Sequence, residues 1–168
     1  MGEVKRILAE LMERDVGQRR EHDPEWPSPC EYGEIDSEGM TRWRPVEMIP
    51  PPDFRDVEEA TGVVLSQDIR EVFGSYHGWT EKSGFRGMSV SLYTSWNPEE
   101  FANFKRKIIQ HIRLCPSIPA LLSVYFANTD SDPFYSVDLA TGEILLEEPD
   151  WPRTTVIAPS LAAFLSEL

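Results

Sequence analysis

Apolar side chains recur with helical spacing at both ends of the chain. They lie three or four positions apart, which is the pattern that lines one face of a helix. These positions are Val4, Ile7, Leu8, Leu11 and Met12 near the N-terminus, and Leu161, Phe164, Leu165 and Leu168 near the C-terminus. The spacing predicts an N-terminal helix over residues 1–22 and a closing helix over residues 159–168.

Three further helices are predicted inside the chain. The clearest begins at Asn97, because this capping residue is followed by a proline at the first helical position and by two acids that face the positive end of the helix dipole. Its apolar stripe ends before Pro116. Shorter helices are predicted after Asp53 and after Ser66, each with apolar residues along one side.

Strand patterns fill the intervals between these helices. Residues 86–93 alternate between apolar and polar side chains, as in a strand with one buried face. Residues 134–138 and 143–147 flank a turn that contains Gly142, which predicts a β-hairpin. Other strands are predicted at residues 40–44, 121–127 and 154–157. Because helices and strands do not alternate regularly, the order predicts an α+β domain over residues 1–168, with a mostly antiparallel sheet flanked by helices.

Residues 23–39 show neither the helical nor the strand pattern of apolar positions and are predicted to form a long acidic loop. The stretch from Glu21 to Glu38 holds seven acidic and no basic residues. Long irregular loops in compact domains are often functional. Trp26 lies in this loop and Trp79 in a second glycine-rich stretch. An aromatic ring beside acids is a typical contact for a lysine or arginine of a partner protein.

The acidic charge is concentrated in the two terminal parts of the chain. The formal net charge is −13, divided into −8 for residues 1–62, +2 for residues 63–118 and −7 for residues 119–168. Such a protein repels nucleic acid and anionic lipid, so neither is an expected ligand. A basic protein surface is the expected partner, although acidity can also serve solubility alone.

No catalytic, cofactor or metal motif is present in the sequence. The three histidines lie far apart, and neither a glycine-rich phosphate loop nor a nucleophile elbow occurs. Cys30 and Cys115 suit small buried side chains in a reducing cytosol. Signal-peptide and membrane-spanning patterns are also absent. A cytoplasmic, non-enzymatic binding protein without cofactor, metal or membrane insertion is therefore expected.

Several short segments, in order and with consistent spacing, resemble the SecY-interacting protein Syd family of the SUKH superfamily. They are Pro27–Cys30, Trp43–Pro45, Phe73–Gly78, Leu92 with Trp96 and Phe101, Ile109–Ile112, Val137–Glu143, and Ser160–Leu165 with Leu168. The resemblance implies a cofactor-free α+β domain that docks through an acidic concave surface on the cytoplasmic side of the SecY translocon, at the inner membrane. The wider superfamily implies an alternative, an immunity protein that neutralises a secreted toxin.

The acids around the loop are the predicted contact surface for either partner. Cytoplasmic loops of membrane proteins are rich in lysine and arginine, so they attract an acidic surface. The predicted contact residues are Glu31, Tyr32, Glu34, Asp36, Glu38, Asp56 and Glu59. The choice between SecY loops and a toxin domain, and the oligomeric state, stay open from the sequence.

Overall fold

The computed structural model describes residues 2–14, 16–80, 82–114, 122–148 and 154–168. Within these ranges the chain forms five helices and eleven strands. The helices are α1 (Glu3–Glu13), α2 (Arg55–Thr61), α3 (Gln67–Gly74), α4 (Pro98–Leu114) and α5 (Leu161–Ser166). The strands are β1 (Arg19–Glu21), β2 (Glu31–Tyr32), β3 (Met40–Trp43), β4 (Val46–Glu47), β5 (Tyr76–His77), β6 (Ser83–Phe85), β7 (Met88–Leu92), β8 (Ser123–Asn128), β9 (Phe134–Asp138), β10 (Ile144–Glu147) and β11 (Thr154–Ala158).

The largest sheet has six antiparallel strands in the order β11-β10-β9-β8-β7-β6. Its register places Val137 opposite both Val124 and Ile144, and all three side chains are buried. Between β9 and β10, Gly142 adopts a φ of +77°, a conformation that glycine reaches without steric cost. The sheet and its surrounding helices confirm the predicted α+β class and the predicted hairpin.

Aromatic side chains form the centre of the core between this sheet and the helices. Phe164 of α5 is fully buried, and its ring centroid lies 4.5 Å from that of Phe85, 5.4 Å from Phe126 and 5.2 Å from Tyr135. Helix α1 packs against α3 and α5, and α4 packs against α2 and β8. The amphipathic spacing found at both chain ends thus buries two helices against one another.

A second, three-stranded sheet has the order β1-β3-β2. It is antiparallel, with Arg20 opposite Thr41 and Glu31 opposite Trp43. The loop that leads into β2 is fastened to the start of α4, because the Asn97 side chain donates to the carbonyl of Pro27 over 3.1 Å. This connection brings the small sheet beside the N-terminal end of α4.

The N-terminal part of the chain differs from the prediction in two respects. Helix α1 ends at Glu13 instead of extending through residues 1–22, because Gly17 turns the chain with a φ of +84° and donates to the carbonyl of Trp43 over 2.9 Å. The following residues pair with β3 as strand β1. The predicted acidic loop 23–39 also contains a strand, β2, whose two residues are too few to show a period.

Helix α1 is capped by a side chain from another helix. Its N-cap residue, Gly2, has no side chain to offer, and the buried carboxylate of Glu71 on α3 instead accepts from the backbone N–H of Lys5 over 3.0 Å. The amide of Gln67 donates to the same carboxylate over 2.9 Å. Since the first N–H groups of a helix have no partner within the helix, Glu71 joins α1 to α3.

Replacing Glu71 by alanine is expected to lower the free energy of unfolding by about 1–3 kcal/mol, because a partly buried backbone N–H of α1 loses its acceptor. Urea denaturation would measure the change. The matched control is Glu10→Ala on α1, where an exposed pair with Arg6 is lost and a change below about 0.5 kcal/mol is expected. Equal effects of the two substitutions would contradict a capping role for Glu71.

Candidate docking groove

A pocket of about 350 Å³ opens where the small sheet meets the start of α4. Three tryptophan side chains and four carboxylates line it together with one arginine. The lining residues are Arg20, Glu21, Asp23, Trp26, Glu31, Gly78, Trp79, Thr94, Trp96 and Glu100. We call this cavity the tryptophan pocket. Its residues come from β1, β2, the loop between them, the segments after β5 and β7, and α4.

Local hydrogen bonds fix the loop that carries Trp26. The backbone N–H of Trp26 donates to the carbonyl of Asp23 over 3.0 Å, and the Asp23 carboxylate accepts from the N–H of Glu25 over 2.9 Å. Side chains of this kind stabilise turns by bonding to the backbone two residues on. The hydroxyl of Ser28 donates to the carbonyl of Trp96. This hydrogen bond connects the loop that carries Trp26 to the segment that carries Trp96.

Arg20 lies among the tryptophan rings of the pocket. Its guanidinium carbon is 4.1 Å from the centroid of Trp79 and 5.1 Å from that of Trp96, within the range of cation–π attraction. The Nη1 atom is buried and has no hydrogen-bond partner in the described part of the chain. A buried donor without an acceptor is costly, so a carbonyl or carboxylate that reached this atom would be bound favourably.

Glu31 carries a second polar atom of this kind. One carboxylate oxygen, Oε2, lies 2.7 Å from His22 Nδ1, whereas the other, Oε1, is buried and unpartnered within the described ranges. Only 11% of the Glu31 side chain is exposed. The lining of the pocket therefore contains one buried, unpartnered acceptor as well as one buried, unpartnered donor.

The inner wall of the pocket is continuous with the core. Trp43 is fully buried, and its ring packs edge-on against Trp96 with 6.0 Å between centroids.

Burial lowers the pKa of nearby His77, an effect that Ser95 and Glu100 oppose. Because the pKa lies below the ordinary value of about 6.5, His77 is neutral at pH 7 and does not offset the carboxylates.

A larger cavity of about 680 Å³ extends the tryptophan pocket along α4. The two cavities share Trp26, Trp79, Thr94 and Glu100. The additional lining residues are Leu92, Tyr93, Asn103, Phe104, Arg106, Lys107 and Gln110. We call the two cavities together the groove. Its acidic end is the tryptophan pocket, and its basic end carries Arg106 and Lys107.

The predicted contact residues fall into separate places. Glu31 lines the tryptophan pocket. The ring of Tyr32, on the same strand, lies 5.5 Å from the guanidinium carbon of Arg44. Glu34 is exposed in the connection between β2 and β3. The loop acids are therefore close in sequence, but they do not all line one cavity.

Two of the predicted acids share one arginine of β1 as their ion-pair partner. Asp36 and Glu38 both form ion pairs with Arg19, at 2.8 Å in the case of Glu38. The pKa of Asp36 is lowered, chiefly because its carboxylate accepts from the backbone N–H of Met40 and to a smaller extent because it pairs with Arg19. These two carboxylates are exposed, but part of their field is cancelled within the molecule.

Asp56 and Glu59 lie on another element, α2, which packs against α4. The carboxylate of Asp56 forms an ion pair of 2.6 Å with Lys105 of α4. Glu59 is exposed. Neither residue lines the groove, so the seven predicted residues do not form one contiguous set.

Three carboxylates of the tryptophan pocket were missed in the sequence, namely Glu21, Asp23 and Glu100. Glu100 was assigned only to the start of its helix, where its carboxylate does accept from the N–H of Trp96. The signal available for Glu21 and Asp23 was their closeness to Trp26 in a stretch without basic residues. That signal marked the segment but did not single out the two acids.

No group of three or more His, Cys, Asp or Glu side chains within the described ranges could hold a metal ion. No helix there has both the length and the apolar character needed to cross a membrane. Cys30 is buried, and burial raises the pKa of its thiol. Cys115 lies outside the described residues.

The sequence over residues 5–168 matches the family model described as Syd protein (SUKH-2). This chain belongs to the Syd family. Curated relatives carry the name Protein Syd. The one from Pseudoalteromonas atlantica is 31% identical over 153 residues, which cover 88% of this chain and 81% of the relative. The one from Aeromonas hydrophila is 30% identical over 149 residues, with the same coverage of both chains.

A third relative, Protein Syd from Colwellia psychrerythraea, is 33% identical over 159 residues, covering 88% of this chain and 78% of its own length. The match to the family model extends from α1 to the C-terminal helix, and it therefore includes every element that lines the groove. The resemblance drawn from short segments is confirmed by these matches.

Proposed function

We propose that this Syd family protein is a non-enzymatic binding module that docks on basic cytoplasmic loops of the SecY translocon. The observation that carries the proposal is the convergence of four carboxylates and three tryptophans on one pocket, in which Arg20 stacks on Trp79 and Trp96 and leaves Trp26 for an incoming cation. Aromatic rings beside carboxylates form a favourable environment for the guanidinium or ammonium group of an inserted side chain.

The charges around the pocket support this choice of partner. Positively charged residues are concentrated in the cytoplasmic loops of membrane proteins. A net charge of −13 attracts such loops at a distance, and the unpaired acceptor of Glu31 offers a specific contact once the loop has arrived. In this proposal long-range attraction comes from the exposed acids Glu34, Asp36, Glu38, Asp56 and Glu59. Tyr32 makes only a minor contribution to binding.

The proposed location is the cytoplasm, with peripheral attachment to the inner membrane through SecY. The groove would serve a basic toxin domain by the same physics, so the immunity function is the competing proposal. Family membership favours SecY, since the match to the Syd family covers residues 5–168 and resemblance to this family implies docking on SecY.

A binding titration against purified SecY translocon in lipid nanodiscs tests the proposal. The protein is expected to bind at about 50 mM salt and to bind several-fold more weakly at about 300 mM salt, because screening shortens the range of the attraction. Empty nanodiscs of the same lipids are the control for the membrane surface. Absence of binding to the translocon at both salt concentrations would overturn the proposal.

A further inference from the structure

We propose that the groove selects an extended segment in which a basic and an acidic side chain stand about three residues apart. This inference rests on the proposed function, since it takes the groove as the docking site, and it adds which sequence is bound. The basic side chain would occupy the tryptophan pocket. The acidic side chain would lie at Arg106 and Lys107.

The length of the groove follows from the face of α4 that lines it. Glu100, Asn103, Lys107 and Gln110 line the groove at helical spacing. A helix rises by about 1.5 Å per residue, so Glu100 and Lys107 are separated by about 10 Å along the axis. An extended chain covers this distance in about three residues.

The acidic end of the groove is suited to one cationic side chain together with its backbone. Trp26 offers a ring, and Glu31 Oε1 offers an unpaired acceptor. The unpaired Nη1 of Arg20 offers a donor beside them. A peptide supplies both complements, because its side chain donates and its backbone carbonyl accepts.

The basic end of the groove is suited to a carboxylate. The Nζ atom of Lys107 lies 5.9 Å from the centroid of Tyr93 and 6.0 Å from that of Phe104. Arg106 donates to the side chain of Asn103. Neither cation belongs to an ion pair within the described ranges. A second positive charge on the ligand would be repelled at this end, which adds discrimination to attraction.

Fluorescence anisotropy with labelled extended peptides and the full chain tests the inference. One series carries arginine with glutamate, alanine or a second arginine three residues away, in both orders, because a peptide can lie in the groove in either direction. The glutamate peptide is expected to bind about threefold to fivefold more tightly than the alanine peptide, and the two-arginine peptide more weakly than both.

Charge reversal at the basic end supplies the decisive comparison. Lys107→Glu is expected to invert the order, so that the two-arginine peptide binds more tightly than the glutamate peptide. Lys82→Glu, at an exposed position outside the groove, changes the net charge equally and is expected to preserve the original order. If Lys107→Glu changes the affinity of all peptides by the same factor, the inference is overturned.

The two proposals fail in different ways. A translocon that binds the protein, combined with peptides that show no preference for the glutamate, would overturn the charge-pair inference alone. Charge-pair selectivity in the peptides without binding to the translocon would overturn SecY as the partner and support the inference about the groove.

Discussion

Replacing Phe164 by alanine is expected to lower the free energy of unfolding by about 3–5 kcal/mol, a large part of the total stability of a domain. The side chain is fully buried, and three aromatic rings surround it. Removing it leaves a cavity bounded by β6, β8 and β9, and strands of a sheet cannot move independently to fill it. The substitution therefore affects the sheet and α5 together.

Urea denaturation followed by circular dichroism would measure the loss. Phe164→Leu keeps most of the volume and is expected to cost much less than the alanine variant. Val156→Ala is the surface control, because 54% of Val156 is exposed and its expected effect is within about 0.5 kcal/mol. A loss below about 1 kcal/mol for Phe164→Ala would contradict the central position of this ring in the core.

The parts of the fold that were predicted from sequence carry strong local signals. Helix α4 begins where Asn97 and its proline predict it, and the Asn97 side chain accepts from the N–H of Glu100 over 2.8 Å. Gly142 marks the β9–β10 turn in the same way. In each case a few neighbouring residues determine both the conformation and its hydrogen bonds.

The missed strands depend on partners that are distant in sequence. Strand β1 is formed because Arg19–Glu21 meets Met40–Arg42 across the sheet, and β2 has only two residues. Neither segment is long enough to show alternation. The sequence pattern therefore predicted a helix where β1 lies and a loop where β2 lies. The α+β class with a mostly antiparallel sheet was nevertheless predicted correctly.

The same distinction explains which acids were assigned to the contact surface. The sequence alone does not distinguish Asp36 and Asp56 from Glu21 and Asp23, because all four are acidic residues. Only the fold shows that Asp36 meets Arg19 and Asp56 meets Lys105, whereas other acids line a pocket with tryptophans. The sequence predicted that acids gather near Trp26, and tertiary structure decides which of them face a common cavity.

Reversing two charges at the edge of the tryptophan pocket is expected to weaken binding to the SecY translocon by about 100-fold. Both Glu21 and Asp23 are exposed and line the pocket. Glu21→Lys with Asp23→Lys removes two attractions for an incoming cation and creates two repulsions. Each surface interaction at about 4 Å is worth about 1 kcal/mol before screening, which gives a loss of this order.

The matched control places the same reversal in the exposed turn between β8 and β9, as Asp130→Lys with Asp132→Lys. Both double variants raise the net charge of −13 by the same amount, so a difference between them cannot come from total charge. If attraction depends on total charge alone, both variants lose affinity equally and the pocket has no special role. If the pocket receives the basic side chain, the control is expected to keep an affinity within about fivefold of the unaltered protein, and the difference between the variants is expected to shrink as salt screens the groove.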